Sequence, residues 1–420
     1  MQRLSRLGLV LSAVLLSASP AFAQIDLPVA APAEVGMSAE KLDRVTEALQ
    51  AHVDAGDIAG AVGGVVRDGK LVYLKAVGQR DIGSSSPMNV DALFRIYSMT
   101  RPIPALGILM LQDDGKVNVN DPVKKYLPKF ADQRVLADAN APNWDQTRPR
   151  QGDITLANLS THTAGFGGRE TKIYVDHNVR RWDLSLSQVV DNMAGAPLFE
   201  DPGTKYRYSE GGDVQGRVIE LQTGMKLDEF YRQRIFGPLG MTDTMFYVDP
   251  AHAGRLATTY RPVDGKLQAF EIEPIPPTER RALISAVGAI SSTRDMLRFG
   301  QFFLNNGRVN GKQLLSAEGV RLAETNALPA ALLPISKTGY NAGSGWSLGG
   351  FNVVMDPTAY DHTVNKGEFW WDGSSSTRLW IDPKENMVTV IMAALQPTDG
   401  KHFREQFKTL VYAAIEKPKP

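Results

Sequence analysis

The chain has 420 residues, of which 43% are hydrophobic and 22% are charged, and it contains no cysteine. This composition is typical of a globular protein and excludes collagenous, disordered and disulfide-stapled chains. The 46 basic residues balance the 46 acidic ones, whereas a nucleic-acid-binding protein normally carries a basic excess or a basic stripe. Without cysteine the chain can form no disulfide, no cysteine–zinc site and no cysteine nucleophile.

The first 23 residues have the three-part pattern of a secretory signal peptide. Two arginines precede an apolar run over residues 7–18, and the small residues Ala21 and Ala23 offer a cleavage site before Gln24. The apolar run is shorter than the roughly 18 residues that a membrane-spanning helix needs. We therefore expect cleavage near Ala23 and a mature chain, residues 24–420, that is periplasmic or secreted and not inserted in a membrane.

The mature chain opens with the pattern of a helix followed by a hairpin. Ser38 precedes apolar residues at helical spacing that continue to about Ala55, which predicts a capped helix. Residues 59–67 and 70–78 are strand-like, and the turn dipeptide Asp68-Gly69 lies between them. This arrangement predicts a β-hairpin.

The C-terminal region repeats these elements in the opposite order. Residues 377–381 and 387–393 are apolar runs around a polar turn, and a helical stretch covers about 402–415. Both ends of the chain thus combine a helix with antiparallel strands. We expect a single sheet built from both termini, with sheet-forming segments at about 24–95 and 340–420.

The middle of the chain, about residues 96–339, is dominated by helical patterns instead. Three stretches have apolar residues at helical spacing: 103–112, 227–236 and 296–303. Ser292 supplies a capping signal for the last of them. Two stretches that contain proline and glycine, 137–153 and 260–280, are expected to form surface or lid loops. The predicted architecture is a helical lobe inserted into an α/β sheet domain.

The most informative motif is Phe94-Arg-Ile-Tyr-Ser98-Met-Thr-Arg101-Pro102, which directly precedes an apolar helix. A serine at a helix N-terminus places its hydroxyl and its N–H at the positive end of the helix dipole. A cation three residues later lies beside that hydroxyl, as in a Ser-x-x-Lys nucleophile. A helix cap whose serine only satisfies a free N–H has the same pattern, so this motif alone leaves both interpretations open.

Three further segments follow in a recognisable order. They are Leu159-Ser-Thr-His162-Thr-Ala-Gly165, then Pro202-Gly-Thr204 leading to Tyr208-Ser209-Glu210, and Gly367-Glu-Phe-Trp-Trp371-Asp372-Gly373-Ser374. Together with the Ser98 motif they resemble the serine β-lactamase and penicillin-binding-protein superfamily, and are most similar to class C β-lactamases and family VIII carboxylesterases. The resemblance extends over essentially the whole mature chain.

The resemblance implies an α+β fold (an α/β sandwich) with the active site in a crevice between an antiparallel sheet and an all-helical lobe. It implies that Ser98 is a nucleophile that becomes acylated, and that Tyr208 is the general base and later the acid. The stretch from Trp371 to Gly373 falls where β-lactamases carry Lys-Thr-Gly and the esterases Trp-Gly-Gly, on the strand that lines the cleft. The backbone N–H groups of Ser98 and Ser374 would form the oxyanion hole.

Arg101 departs from this pattern, because the family has lysine at that position. Arginine stays protonated and cannot take a proton from Ser98. In one interpretation Arg101 lowers the pKa of Tyr208, and tyrosinate alone is the base. In the other, the site is disabled and the protein binds a ligand without turnover. Glu210 replaces the family asparagine that contacts the lysine, so we expect a compensating bidentate Arg101–Glu210 ion pair.

Asp372 is a second departure, since the family usually has glycine or threonine there. This acid would repel a substrate carboxylate, and no lysine precedes it to bind one, which argues against penicillins and cephalosporins as main substrates. We expect hydrolysis of small esters, with amides or short peptides as a further class. A peptidase, a weak β-lactamase and a catalytically silent ligand-binding homologue remain alternatives. Acyl transfer to an alcohol and the oligomeric state stay open.

Other mechanisms find little support in the sequence. His162 is expected to be structural, and His362 is a weaker candidate for a substitute base. There is no Gly-x-Ser-x-Gly elbow, so a lipase-type triad is unsupported. There is also no His-Glu-x-x-His motif and no phosphate-binding glycine loop. We therefore expect no cofactor, no metal and no nucleic-acid partner.

Overall fold

The computed structural model describes most of the chain after the predicted signal peptide. The described residues are 25–419 except 141–143, 169, 180, 182, 249, 271–284 and 398–401. The predicted signal peptide therefore lies outside the described residues. Within the described ranges, no helix has the length and apolar character that crossing a membrane requires.

An eight-stranded antiparallel sheet is the largest element of the fold. In spatial order its strands are Ser344–Trp346, Asn352–Val354, Phe369–Gly373, Thr377–Asp382, Met387–Ala393, Gly60–Arg67, Lys70–Asp81 and Ser86–Pro87. The first N-terminal strand pairs with the last C-terminal one, and Val62 lies opposite Met392. The prediction that both chain ends build one sheet is confirmed.

Helices cover both faces of this sheet. Ala39–Asp54 and Phe403–Ala413 pack together on one face, and Thr293–Leu304 packs on the other. A Cβ added at Gly63 would lie 2.7 Å from Phe407, and one added at Gly64 would lie 2.7 Å from Leu297. Successive strand residues point to opposite faces, so these neighbouring glycines let both helical layers approach closely. The expected cap is also present, because Ser292 accepts a hydrogen bond from the backbone of Asp295.

The other helices lie between the sheet segments in sequence. They are Pro102–Asp113, Leu156–Ser160, Lys172–Asp176, Leu186–Gly195, Gly211–Thr223, Leu227–Tyr231, Gly237–Leu239 and Ala317–Glu324. The helix that begins at Pro102 is buried along most of its length, since its residues are apolar on all sides. It packs on the helix Gly211–Thr223, where a Cβ at Gly107 would lie 2.7 Å from Ile219. The segment that follows Ser98 is thereby fixed in the core.

The two expected loops contain more regular structure than predicted. The remaining strand pairs are Leu93–Arg95 with Ile290–Ser292, Val135–Leu136 with Thr147–Arg148, Tyr260–Val263 with Lys266–Ala269, and Arg308–Val309 with Lys312–Gln313. The stretch 260–280 thus begins as a hairpin, and its turn dipeptide Asp264-Gly265 is a hairpin signal that the prediction overlooked. Both turn residues have positive φ angles. The part of this stretch from 271 onward lies outside the described residues.

Candidate active site

Ser98 lies in a short 3-10 turn, Tyr97–Thr100, immediately before the buried helix. A 3-10 turn has three residues per turn and therefore aligns residues i and i+3. The backbone N–H of Arg101 donates to the carbonyl of Ser98 at 3.0 Å. Tyr97 has a φ angle of +40°, which is costly for a residue with a side chain. The backbone is therefore strained at the residue before Ser98, and the buried helix holds the turn from the other end.

Arg101 distributes its guanidinium over three consecutive residues. Nε donates to the hydroxyl of Tyr208, Nη1 donates to the carbonyl of Ser209 at 2.6 Å, and Nη2 donates to Glu210 Oε2 at 3.1 Å. The Arg101 and Glu210 side chains are each only 5% exposed. The structure thus places Arg101 and Glu210 in contact, as expected. The contact is a single hydrogen bond from Nη2 and not the expected bidentate pair, because Nε and Nη1 donate to Tyr208 and Ser209.

The charge of Arg101 is permanent in this environment. Burial disfavours the charged guanidinium, but the charges of Tyr208, Glu210 and Asp213 oppose this effect and raise the pKa of Arg101 above its usual value. An arginine with a raised pKa cannot act as a base. Arg101 can therefore stabilise negative charge on Tyr208 but cannot accept a proton.

The hydroxyl of Tyr208 accepts the Nε–H of Arg101, and Ser98 lies close enough to lower the pKa of Tyr208 as a hydrogen-bond partner. Burial raises the pKa of Tyr208 above 10, and the charge of Glu210 adds to this, while Arg101 and the Ser98 hydrogen bond lower it. Arg101 does lower the pKa of Tyr208, as predicted. The net pKa of Tyr208 nevertheless lies above its usual value, because the cost of burying tyrosinate is larger.

His162 holds the chain on both sides of Tyr208. Its carbonyl accepts a hydrogen bond from the N–H of Arg207 at 2.8 Å, and its Nδ1 accepts one from the N–H of Ser209 at 3.2 Å. Its ring centroid lies 4.5 Å from that of Tyr208. Burial, with the charge of Arg101, lowers the pKa of His162 well below 6.5, which keeps Nδ1 free to accept. His162 therefore positions the Tyr208 segment.

The strand that ends at Gly373 reaches the turn that carries the candidate nucleophile. A Cβ at Gly373 would lie 2.1 Å from the carbonyl oxygen of Ile96, so a side chain would prevent this approach. Two residues later, Ser375 Oγ donates to the carbonyl of Arg95 at 2.6 Å. These contacts bring the backbone around Ser374 beside the Ser98 turn, as a shared oxyanion hole requires.

Trp371 and Trp370 have different surroundings. The Trp371 ring packs against Tyr208, with centroids 5.3 Å apart, and against Trp346 at 4.5 Å. Adjacent strand residues face opposite sides of a sheet, and Trp370 has the Arg378 guanidinium 4.0 Å from its ring centroid. Trp371 therefore forms a wall of the site, whereas Trp370 packs in the core.

Asp372 has a cationic partner that the sequence analysis missed. Arg404 Nη1 donates to Asp372 Oδ2 at 2.8 Å, and the two side chains are 7% and 13% exposed, respectively. The expectation that Asp372 presents an unopposed negative charge is wrong, because the last helix supplies a cation. Arg404 lies 32 positions further along the chain, and no sequence motif links the two residues.

One open cavity of about 1230 Å³ collects most of the predicted site residues. The predicted residues that line it are Ser98, Tyr208, Trp371, Asp372, Gly373 and Ser374. Tyr206, Tyr340 and Tyr360 add aromatic surface, none of which the sequence analysis singled out. Arg101 and Glu210 are not among the lining residues and contact Tyr208 and its neighbours instead. Among the described residues, no group of three His, Cys, Asp or Glu side chains is placed to hold a metal ion.

His362 also lines this cavity, but its position differs from that of Tyr208. Its Nδ1 lies 2.8 Å from Asp361 Oδ1. Burial and the charge of Arg378 lower the pKa of His362. The structure gives no contact between His362 and Ser98, whereas Ser98 lowers the pKa of Tyr208 as a hydrogen-bond partner. Tyr208 is therefore the better candidate for the base.

Residues 45–413 match the family model described as Beta-lactamase. The chain belongs to the Beta-lactamase family. Protein Rv1367c of Mycobacterium tuberculosis (strain ATCC 25618 / H37Rv) is 32% identical over 362 residues, which cover 84% of this chain and 89% of that protein. Esterase EstB of Burkholderia gladioli is 28% identical over 348 residues, covering 77% of this chain and 83% of that protein.

A solved structure supports the same fold. EstCE1, described as a hydrolase with promiscuous acyltransferase activity, superposes with a TM-score of 0.77 at 23% sequence identity, covering 89% of this chain and 99% of that one. The predicted β-lactamase/transpeptidase-like fold is confirmed. Family and fold together identify the protein as a β-lactamase-related serine hydrolase.

Proposed function

We propose that this hydrolase cleaves esters of small molecules through an acyl-enzyme formed on Ser98. The observation that carries the proposal is that Ser98 and Tyr208 line the same open cavity, with Ser98 close enough to lower the pKa of Tyr208 as a hydrogen-bond partner. Arg101 lies behind Tyr208 and donates Nε–H to the same hydroxyl. The cavity gives a substrate carbonyl access to Ser98, and the neighbouring Tyr208 oxygen gives the Ser98 proton a route away from the attacking oxygen.

In this mechanism Tyr208 acts from its tyrosinate form. The phenolate oxygen takes the Ser98 proton while Ser98 Oγ attacks the ester carbon, and the proton then passes to the leaving alcohol. The fixed charge of Arg101 stabilises the phenolate. Because burial raises the pKa of Tyr208, the tyrosinate fraction is small at neutral pH. Turnover should therefore increase with pH on the alkaline side.

The oxyanion hole is assigned to the backbone N–H groups of Ser98 and Ser374. The close contact between Gly373 and Ile96 supports this assignment, since it brings the two segments together. Donors fixed in this way stabilise the negative charge that develops on the carbonyl oxygen. Water, or an alcohol acceptor, would then attack the acyl group while Tyr208 takes its proton, and that proton passes to Ser98 Oγ as the acyl–oxygen bond breaks.

The cavity wall supports uncharged esters as the main substrate class, with amides as a second class. Aromatic side chains, among them Tyr206, Tyr340 and Trp371, supply apolar surface near Ser98. Asp372, an acid on the strand Phe369–Gly373 that lines the cavity, is already paired with Arg404. An apolar acyl or alkyl group can pack on such a surface without leaving a charge unpaired.

Hydrolysis of p-nitrophenyl butyrate tests this proposal. The parent protein should turn the ester over, and Ser98→Ala should lower kcat/KM by at least about 10³-fold, since a covalent nucleophile is removed. Ser84→Ala, at an exposed serine in a hairpin turn, is the matched control and should behave as the parent. Full activity in Ser98→Ala would disprove the assignment. A folded parent protein without turnover would favour the ligand-binding alternative.

We also propose that the protein is exported after removal of residues 1–23. The proposal rests on the sequence pattern alone. Expression of the full chain in a bacterium with an outer membrane, followed by mass measurement of the periplasmic protein, should give a chain that begins at Gln24. Recovery of the uncleaved chain from the cytoplasm would contradict export.

A further inference from the structure

Four charged side chains are linked by ion pairs in the cavity wall beyond the candidate oxyanion hole. We call this group the charge ring, and its members are Asp372, Arg378, Arg404 and Glu405. Arg404 contacts Asp372 at 2.8 Å and Glu405 at 3.9 Å, and Arg378 contacts Glu405 at 2.6 Å. Asp372 and Arg378 also lie directly opposite each other on neighbouring strands. Two positive and two negative charges therefore cancel.

The charge ring lies close to the proposed reaction centre. All four members line the same cavity as Ser98. Asp372 and Ser374 are two residues apart on one chain segment, and such residues lie about 7 Å apart when the chain is extended. A substituent a few bonds beyond a carbonyl held at Ser98 and Ser374 can therefore reach the Asp372–Arg404 pair.

Arg404 would be a carboxylate-binding group if Asp372 did not occupy it. Its side chain is 7% exposed, and guanidinium groups in such dry positions bind carboxylates strongly, with two parallel hydrogen bonds. In this chain Nη1 already donates to Asp372, and Nη2 lies near Glu405. A substrate carboxylate that reaches the charge ring meets Arg404 already matched by Asp372 and Glu405, and these two acids repel it.

We propose that Asp372 is a specificity-determining residue that blocks Arg404 and so excludes carboxylate-bearing substrates from the cavity. The proposal deepens the ester-hydrolase function and rests on it. It assigns the discrimination to one ion pair rather than to the general polarity of the cavity. Removal of the acid would leave the charge ring with a net positive charge and free Arg404 Nη1 to bind a substrate carboxylate.

The test compares two esters that differ at one position. In p-nitrophenyl butyrate the acyl chain ends in a methyl group, and in mono-p-nitrophenyl succinate a carboxylate replaces that methyl group. The measured quantity is the ratio of kcat/KM for the succinate ester to kcat/KM for the butyrate ester. In Asp372→Asn this ratio should rise at least 10-fold over the parent. In the double variant Asp372→Asn/Arg404→Gln the gain should disappear.

Asp361→Asn is the matched control, because Asp361 is another acid of the same cavity but pairs with His362 and not with Arg404. Its ratio should change less than 3-fold. An equal gain in Asp361→Asn would show that only the overall charge of the cavity matters and would overturn the proposal. An unchanged ratio in an active Asp372→Asn protein, or a gain that survives without Arg404, would overturn it too. If Asp372→Asn fails to fold, Asp372→Thr serves the same test with a smaller neutral side chain.

A binding measurement separates this proposal from the proposed function. In the Ser98→Ala background, calorimetric titration with monomethyl succinate should show at least 10-fold tighter binding once Asp372→Asn is added. Tighter binding would support the role of Asp372 even if no ester were turned over. Equal affinity in the two proteins would contradict it, whatever the outcome for Ser98.

Discussion

Replacement of Glu210 by glutamine probes the pair that compensates for the missing lysine. The Arg101 and Glu210 side chains are each 5% exposed. Removal of one partner of a buried ion pair costs about 3–5 kcal/mol when the other charge is left bare. Arg101 would keep Tyr208 and Ser209 as acceptors, and the glutamine oxygen can still accept from Nη2. We therefore expect a loss of about 2–3 kcal/mol in the free energy of unfolding.

The same substitution should change the pH dependence of catalysis. The negative charge of Glu210 raises the pKa of Tyr208, so its removal lets tyrosinate form at lower pH. The increase of kcat with pH should then begin at lower pH than in the parent. Urea unfolding gives the stability change, and ester hydrolysis measured from about pH 6 to pH 10, a range that brackets histidine and tyrosine titration, gives the profile.

Glu220→Gln is the matched control for this experiment. Glu220 pairs with Arg217, and these side chains are 20% and 27% exposed. An ion pair this exposed is worth about 0–1 kcal/mol, and it does not contact Tyr208. The control should lose less than about 1 kcal/mol and keep the parent pH profile. A Glu210→Gln protein with the parent's stability and the parent's pH profile would refute the idea that the Arg101–Glu210 pair organises the site.

Substitutions at three further positions test other parts of the site. Tyr208→Phe should lower kcat for ester hydrolysis by about 10²–10⁴-fold with an intact fold by circular dichroism, as expected for loss of a general base; full activity would exclude Tyr208 from that role. Gly373→Ala should lower kcat more than it raises KM, because the new Cβ must displace the strand from Ile96. Unchanged kinetics would show that the close approach of Gly373 to Ile96 does not position the oxyanion hole. His162→Leu should lower kcat, and His162→Asn, which keeps an acceptor for the Ser209 N–H, should recover part of it; equal loss in both would argue against positioning through that bond. The pKa of His162 is held well below 6.5 in the native state, so below pH 6.5 the unfolded chain binds a proton at His162 that the native state excludes. The stability contribution of neutral His162 is therefore present above pH 6.5 and is lost as the pH falls, at up to about 1.4 kcal/mol per pH unit. The free energy of unfolding of His162→Asn should lack this pH dependence, and the same pH dependence in the variant and the parent would contradict the assignment.

The sheet could be predicted because its signals are local. The turn dipeptide Asp68-Gly69 fixes the first hairpin, and the apolar run at Met387–Ala393 is a strand with the predicted bounds. The hairpin that begins at Tyr260 was missed because its proline and glycine content suggested a loop. The turn dipeptide Asp264-Gly265 is nevertheless a local hairpin signal, and Tyr260–Val263 pairs with Lys266–Ala269 across it.

The candidate site could be predicted only as far as its motifs extend. Ser98, Tyr208 and Gly373 belong to short motifs whose spacing carries information. The pair between Asp372 and Arg404 depends instead on how the last helix packs against a distant strand, and no local pattern reports that packing. The net direction of the Tyr208 pKa shift could not be predicted for a related reason, since the sequence gives the sign of a neighbouring charge but not the depth of burial.

The assignment of Ser98 as the nucleophile is tested most directly by intact-protein mass spectrometry. The mature chain and its Ser98→Ala variant are each incubated with a reactive fluorophosphonate and then weighed. We expect a single adduct on the parent protein that maps to Ser98, and none on the variant. That result would show that Ser98 is a reactive nucleophile although arginine stands in place of the family lysine. A folded parent protein that acquires no adduct, or an adduct that persists in Ser98→Ala, would contradict the assignment of Ser98 as the nucleophile.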